Sequence, residues 1–299
     1  MIISASYRTD IPAFYGPWFM SRLDAGFCEV ANPYNGKPYP VSLLPRDVDG
    51  LVFWTKNIGS FLGPLVEIHR RGLPFVVQYT ITGYPIALER SVPEGTQSVT
   101  VLKSLAKLYG SRAVVSRYDP ILDTDLTPYD WHVANFSRLA TALKGATDEV
   151  VVSFAQIYRK TRRNLDAAAQ THGFNWSDPD LDEKQTLARR LADIAAAKDM
   201  RLTLCTQPAL MVNGIGAAKC IDSTRLSDVA NKTISAKIKG NRPGCLCSES
   251  RDIGAYDTCP LGCAYCYAVR DRDAAVNNYG AHDLESASLS VAQSESEGI

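Results

Sequence analysis

The sequence predicts an α/β protein: a partial (β/α) barrel of about six parallel strands, followed by a cysteine-rich segment. Three observations carry this. Six short apolar, β-branched runs recur in the first two-thirds of the 299 residues, continuous rather than alternating, as in strands covered on both faces. Stretches with helical character separate them, the pattern of repeated βα units. Five of the eight cysteines fall between Cys245 and Cys266.

The strands are expected at residues 2–6, 51–54, 75–80, 113–117, 150–154 and 202–205, and helices at 17–25, 60–71, 98–109, 129–143 and 181–198. The last helix has the clearest signals. It opens after "SDPD", carries Glu183 in its first turn, and repeats apolar residues at Leu187, Leu191 and Ile194, which is an N-terminal cap followed by an apolar face. A doubly wound sheet is the competing arrangement. Residues 1–210 form the barrel on this reading. Residues 211–282 form a connector, including "IKGNRPG", and a segment packed on the barrel, and the Ser/Glu-rich stretch 283–299 is expected to be disordered.

Composition excludes some classes. With 45% apolar and 21% charged residues the chain is ordinary globular material. Its 32 cationic and 32 anionic residues leave no bulk field to draw it to nucleic acid or an anionic bilayer. No run of apolar residues is long enough to span a membrane. "MIISASYRTDIP" lacks the basic and apolar regions of a signal peptide. A cytoplasmic protein with reduced thiols is therefore expected, in which clustered cysteines point to metal or catalysis rather than disulfides.

Cys259, Cys263 and Cys266 form C-x3-C-x2-C, with Tyr265 before the last thiol. A structural zinc site takes four ligands, usually from two C-x2-4-C knuckles. Cys245 and Cys247, one residue apart, make a tight second knuckle and leave Cys259 over. A 4Fe–4S cluster normally takes four thiolates. Three would leave one iron open to a small chelating ligand, unless Cys245 or Cys247 supplies the fourth thiolate and closes the cluster for electron transfer.

Taken whole, the chain resembles the bacterial domain of unknown function 1848 family, described as DNA repair photolyase-like, through "ISASYRTDIPAFY", "DVDGLVFWTKN", "RYDPI" and "CLCSESRDIGAYDTCPLGCAYCYA". The triplet spacing with its aromatic residue is similar to that of radical S-adenosylmethionine (SAM) enzymes. Their open iron binds the amino and carboxylate groups of SAM, and an electron from the cluster cleaves it to a 5′-deoxyadenosyl radical. Thr55-Lys56, Thr80-Ile81-Thr82 and Arg117-x-x-Pro120-Ile121 resemble strand-end motifs of the spore photoproduct lyase branch. The resemblance implies a radical-SAM-like barrel, a 4Fe–4S cluster, SAM as cofactor and a reductant such as ferredoxin or flavodoxin. Those enzymes place the triplet after the first strand, whereas here it follows the last, as in a permuted chain.

Polar residues that follow barrel strands gather at one mouth. Here they are Ser6, Arg8 and Asp10; Thr55, Lys56 and Asn57; Thr80 and Thr82; Arg117 and Asp119; Gln156 and Tyr158; Cys205 and Gln207. Lys56, Arg117 and Asp119 are the catalytic candidates. Thr55, Lys56, Thr80, Thr82, Arg117 and Tyr265 are candidates for binding the cofactor. Lys56 and Arg117 have the charge to neutralise a carboxylate such as that of SAM, and each also has a bland reading as half of a structural ion pair, Arg117 with Asp119. Arg8 and Asp10 read equally well as an ion pair pinning the first loop. Cys205 and Cys220 read as small buried apolar residues. The basic run 159–163 reads as a solvated loop, or as a contact to a nucleic-acid backbone. A small molecule and a nucleic acid both remain open as substrate, and a nucleic-acid-binding module is the non-enzymatic alternative.

Overall fold

The computed structural model describes residues 1–32 and 35–289. Eight strands form one parallel sheet: β1 (Ile2–Ala5), β2 (Gly50–Thr55), β3 (Phe75–Thr80), β4 (Val114–Ile121), β5 (Glu149–Phe154), β6 (Arg201–Leu204), β7 (Gly216–Ala217) and β8 (Ser250–Asp252). Their order across the sheet is β8-β1-β2-β3-β4-β5-β6-β7. From β1 to β7 each strand lies beside its predecessor, without the reversal of direction that defines a doubly wound sheet. The sheet is open, with β8 and β7 as its edges.

Six strands are expected from the sequence and eight are present in this sheet; two small two-stranded sheets, Phe27–Ala31 with Pro38–Ser42 and Asp123–Thr124 with Trp176–Ser177, lie outside it. The two strands of the large sheet beyond the expected six are only two and three residues long, too short to show a periodic signal. Both come from the stretch 211–282, which therefore lies within the sheet as well as on it. β8 pairs with β1 through Ile2–Ser250, Ile3–Arg251 and Ser4–Asp252, bringing the beginning of the chain beside its cysteine-rich region.

Successive strands wound in one direction place their connecting helices on one face, because parallel crossovers share one hand. Ile3, Leu51, Phe53, Phe75, Val77, Val114, Val150 and Val152 point to that face and pack in the main core with Leu102, Leu105, Phe136, Leu139, Leu187 and Leu191 of the helices Gly95–Tyr109, Tyr129–Leu143 and Leu181–Ala196. The last of these opens on a capping box between Asp180 and Glu183. Ile2, Val52, Val76, Val115 and Val151 face the other way, against Cys205, Ala218, Cys220, Ile221, Leu226, Ile234 and Cys247. Both faces are thus buried, which accounts for the continuous apolar runs.

The stretch 159–163 begins a helix, Arg159–His172, rather than a loop. Only Thr161 and Leu165 of this helix are buried, and its packed face is otherwise made of small residues, Ala168 and Ala169, so it carries few large apolar residues to mark it in the sequence. Residues 283–289 lie against the body of the protein, where Trp18 Nε1 donates to Ser286 O (2.8 Å) and Leu289 is buried. The remainder of the stretch expected to be disordered, 290–299, lies outside the described residues. Among the described residues no helix is long and apolar enough to cross a membrane.

Candidate metal centre

Parallel strands present their carboxyl ends at one edge of the sheet, and the loops leaving them meet there. β8 ends at Asp252, and the loop after it carries Cys259, Cys263 and Cys266. Asp252 joins this loop to the one after β1: its carboxylate accepts from Ser4 Oγ (2.8 Å), Ser6 Oγ (2.7 Å), Tyr7 N–H (3.1 Å) and Arg8 Nε (3.0 Å). Arg8 therefore pairs with Asp252 and not with Asp10, because β8 delivers that carboxylate to the end of β1. Asp10 caps the short helix Ile11–Phe14, accepting from Ala13 N–H (3.0 Å), and also accepts from Lys56 N–H (2.7 Å). Burial pushes the Asp10 pKa up to about 6 against these hydrogen bonds.

Five further hydrogen bonds fix the cysteine loop. Thr9 Oγ1 donates to Ala255 O (2.6 Å) and Tyr15 OH to Thr258 O (2.7 Å). Ala264 N–H donates to Leu88 O (2.9 Å) and Ser91 N–H to Leu261 O (3.1 Å), stitching the loop to the segment after β3. Asn164, on the helix Arg159–His172, donates to Val269 O (3.2 Å). Gly262 has φ +74°, a left-handed turn between the first two thiols that glycine adopts without steric cost.

The three thiols interact with one another electrostatically. Burial pushes Cys259 up to about 12 and raises Cys263 and Cys266 as well. Several groups oppose that penalty. Backbone N–H groups of Leu261 and Asp10 bond to the Cys259 sulfur, those of Ala268 and Val269 bond to the Cys266 sulfur, and the Lys56 ammonium favours charge on Cys263 and Cys266. Thiols held protonated by burial, yet surrounded by donors, favour a ligand that supplies its own positive charge.

Lys56 has a partner that the sequence reading missed. Its ammonium lies 2.8 Å from Glu89 Oε1, which also accepts from Thr82 Oγ1 (2.7 Å) and from the hydroxyl of Tyr265. The ammonium also sits over the Tyr265 ring, 5.6 Å from its centroid. Burial pulls the Lys56 pKa down, but Glu89 and Cys263 more than offset this, and Lys56 stays charged. Tyr265 thus fixes the Lys56–Glu89 pair beside the thiols. Glu89 lies in a loop with no periodicity or motif to mark it.

Arg117 pairs with Asp119, which also accepts from Ser153 Oγ. Its guanidinium donates to Gln78 Oε1 (3.1 Å) and stacks over Trp54, 5.0 Å from the ring centroid. Thr55 Oγ1 accepts from Asn57 N–H (2.9 Å), shaping the loop after β2. Thr80 ends β3 beside Arg117. Gln207 bonds to both backbone groups of Phe154, continuing the β5 ladder with a side chain.

Cys245 and Cys247 are placed among other thiols. Cys247 is linked by thiol hydrogen bonds to Cys245 and Cys220, and the Cys220 sulfur lies 3.7 Å from that of Cys205. The bond from Cys247 holds the Cys245 thiol down to about 6.

Among the described residues, no group of three or more His, Cys, Asp or Glu is arranged to hold a metal ion. A single ion needs ligands that converge on one point, whereas in a cubane cluster each thiolate meets a different iron. The donors around Cys259, Cys263 and Cys266 fit such a cluster: three thiols on one pinned loop, backbone N–H groups on two of the sulfurs, and a cation beside two. A separate cavity of about 490 Å³, lined by Leu122, His132, Phe154, Pro179 and Leu187 among others, contains none of the cysteines.

The family model of Domain of unknown function (DUF1848) matches residues 2–268, and the chain belongs to that family. No curated protein and no solved structure matches the chain.

Proposed function

We propose that this DUF1848 member is an iron–sulfur protein of the radical SAM type, in which Cys259, Cys263 and Cys266 hold a 4Fe–4S cluster and leave one iron for S-adenosylmethionine. The carrying observation is the position of the triplet in space. β8 is the last strand among the described residues but the first in the order of the sheet, and the cysteine loop leaves its carboxyl end. The triplet thus follows the spatially first strand, as radical SAM enzymes place it, and the sheet reads as an open, permuted barrel with β8 ahead of β1.

When bound, the cluster would supply the electron that cleaves SAM reductively, delivered by a reductant such as ferredoxin or flavodoxin. The chain's own residues bind and orient. Backbone N–H groups stabilise thiolates at Cys259 and Cys266, and Lys56 does so at Cys263 and Cys266. Glu89 holds Lys56 and Tyr265 in register with the loop. Thr80, Arg117 and Asp119 extend the polar mouth along the ends of β3 and β4, where SAM or a substrate would lie.

A second reading has an observation in its favour. Lys56 and Arg117 are each paired with an internal carboxylate, Glu89 and Asp119, so the charge expected to meet the SAM carboxylate is already compensated. On that reading the cluster is an electron carrier that does not use SAM. Anaerobic reconstitution with iron, sulfide, dithionite and SAM separates the two: release of 5′-deoxyadenosine supports the radical SAM assignment. A fully loaded cluster that leaves SAM intact supports the carrier.

A further inference from the structure

The cavity of about 490 Å³ lies where β4 and β5 end. Ile121 closes β4 and Phe154 closes β5, and the residues that follow them, Leu122 and Asp123 on one side and Ala155 and Ile157 on the other, form part of its wall. The first two turns of the helices Tyr129–Leu143 and Leu181–Ala196 cover it through Tyr129, His132 and Leu187. The pairing of Asp123–Thr124 with Trp176–Ser177 ties down its rim. A cavity of this volume, with apolar walls and a few polar groups, has the size and composition of a small-molecule site.

The charged groups of the lining are mostly of one sign. Asp123, Asp178, Asp182 and Glu183 bring four carboxylates to it, against one ammonium, that of Lys184. Lys184 Nζ lies 2.5 Å from Asp178 Oδ1 and is compensated there. Glu183 accepts from Asp180 N–H in the capping box, and Asp123 accepts from Ser177 Oγ. Asp182 makes no hydrogen bond or ion pair among the described residues. Acidic residues in a first helical turn complement the helix dipole, which accounts for Asp182 and Glu183. It does not account for Asp123 and Asp178, which lie outside the helix. His132 adds no positive charge, because burial pulls its pKa down to about 4.

We infer that this cavity binds a small molecule with an apolar body and a cationic head, such as a protonated amine, the body against Leu122, Phe154, Ile157 and Leu187 and the head among the rim carboxylates. A phosphate-bearing or carboxylate ligand would face four carboxylates with the one lining ammonium already paired. The site adjoins the cysteine loop, since Leu122, Ala155 and Ile157 also pack with Tyr84, Cys263, Ala264 and Tyr265 in one apolar cluster. A bound ligand therefore rests on the wall that supports that loop. The site stands whether or not the loop carries a cluster.

The test is isothermal titration calorimetry of the full chain as purified, without added SAM, using three probes that share a ring system and differ in charge: naphthylmethylamine, naphthylmethanol and naphthoate. At low salt the amine is expected to bind about fivefold more tightly than the alcohol, the effect of a well-formed rim ion pair, and naphthoate most weakly. Added salt should narrow the gap between amine and alcohol. Asp123→Asn with Asp182→Asn is expected to bring the amine close to the alcohol and to leave the alcohol unchanged. Thr186→Trp, at an exposed position of the lining, adds bulk at the entrance and is expected to weaken amine and alcohol alike. An amine that binds no more tightly than the alcohol, or does not bind, overturns the inference. Amine binding that neither variant alters belongs to another part of the surface and overturns it as well. Calorimetry reads binding alone, so each of these outcomes is independent of the 5′-deoxyadenosine release that tests the proposed function.

Discussion

At the scale of single residues, the candidate site is a set of paired charges around thiols. Lys56, Arg117, Asp119, Thr82 and Tyr265 can be named from the sequence, since each follows a strand or sits inside the cysteine motif. Glu89 cannot be: it becomes the common acceptor for Lys56, Thr82 and Tyr265 only through the path of the loop after β3. Cys205 and Cys220 read individually as small apolar residues, and only the sheet brings them to Cys247 and to two arginines. Away from the site, His132 has a testable signature. It is 1% exposed, shares a hydrogen bond with Tyr118 OH (2.8 Å at Nδ1), and has Nε2 3.0 Å from Leu122 O. Burial lowers its pKa from 6.5 to about 4, so the unfolded chain takes up a proton in that interval and the folded one does not. The stabilisation is complete above pH 6.5 and disappears as pH falls through about 4, by at most about 3 kcal/mol. Urea midpoints should decline over that window in the wild type and decline less in His132→Gln; equal slopes in the two would contradict the assignment.

At the scale of elements, a partly buried ionic network ties the start of β5 to β6 and to the helix Ser223–Ala230. Arg225, 2% exposed, sits on the helix Ser223–Ala230 with Nη2 2.6 Å from Glu149 Oε2 and Nη1 2.9 Å from Asp148 Oδ1. Arg112 and Thr203 also bond to these carboxylates, at 2.6 Å and 2.7 Å. Removing the central cation leaves the buried Glu149 carboxylate, and the half-buried Asp148, under-compensated, so Arg225→Ala should lower unfolding stability by about 3 kcal/mol, the lower end for a broken buried pair. A loss below about 1 kcal/mol, the range of an exposed pair, in chemical denaturation would contradict this. Long apolar elements are legible in the sequence: β3 and the helix Tyr129–Leu143 occupy the residues expected, and β1, β2, β5 and β6 differ by one residue at one or both ends. β8, with the sequence Ser-Arg-Asp, is not legible, because its strand character comes from pairing with β1 and not from its own side chains. The helix Arg159–His172 escapes for a related reason: its polar residues serve the cysteine loop, Asn164 bonding to Val269 O and Arg163 to Arg270 O.

At the scale of the whole molecule, strand order explains why a cysteine motif late in the chain can serve a site among loops from its beginning. β8 enters the sheet next to β1, Asp252 joins the two loops, and the cysteine loop then reaches the ends of β2 and β3 through Lys56 and Glu89. The helix-covered core gives the sheet a rigid back. The opposite face is buried as well, by apolar side chains together with Cys205, Cys220 and Cys247, and the polar side chains gather at the carboxyl ends of the strands. The radical SAM reading requires that one iron on the Cys259–Cys263–Cys266 loop stay open to a small ligand. EPR of the anaerobic, dithionite-reduced full chain with and without SAM tests that requirement most directly. The account predicts a SAM-dependent change confined to the signal that Cys259→Ser, Cys263→Ser and Cys266→Ser remove together. An unchanged spectrum at saturating SAM, from protein with its full complement of iron, would contradict it.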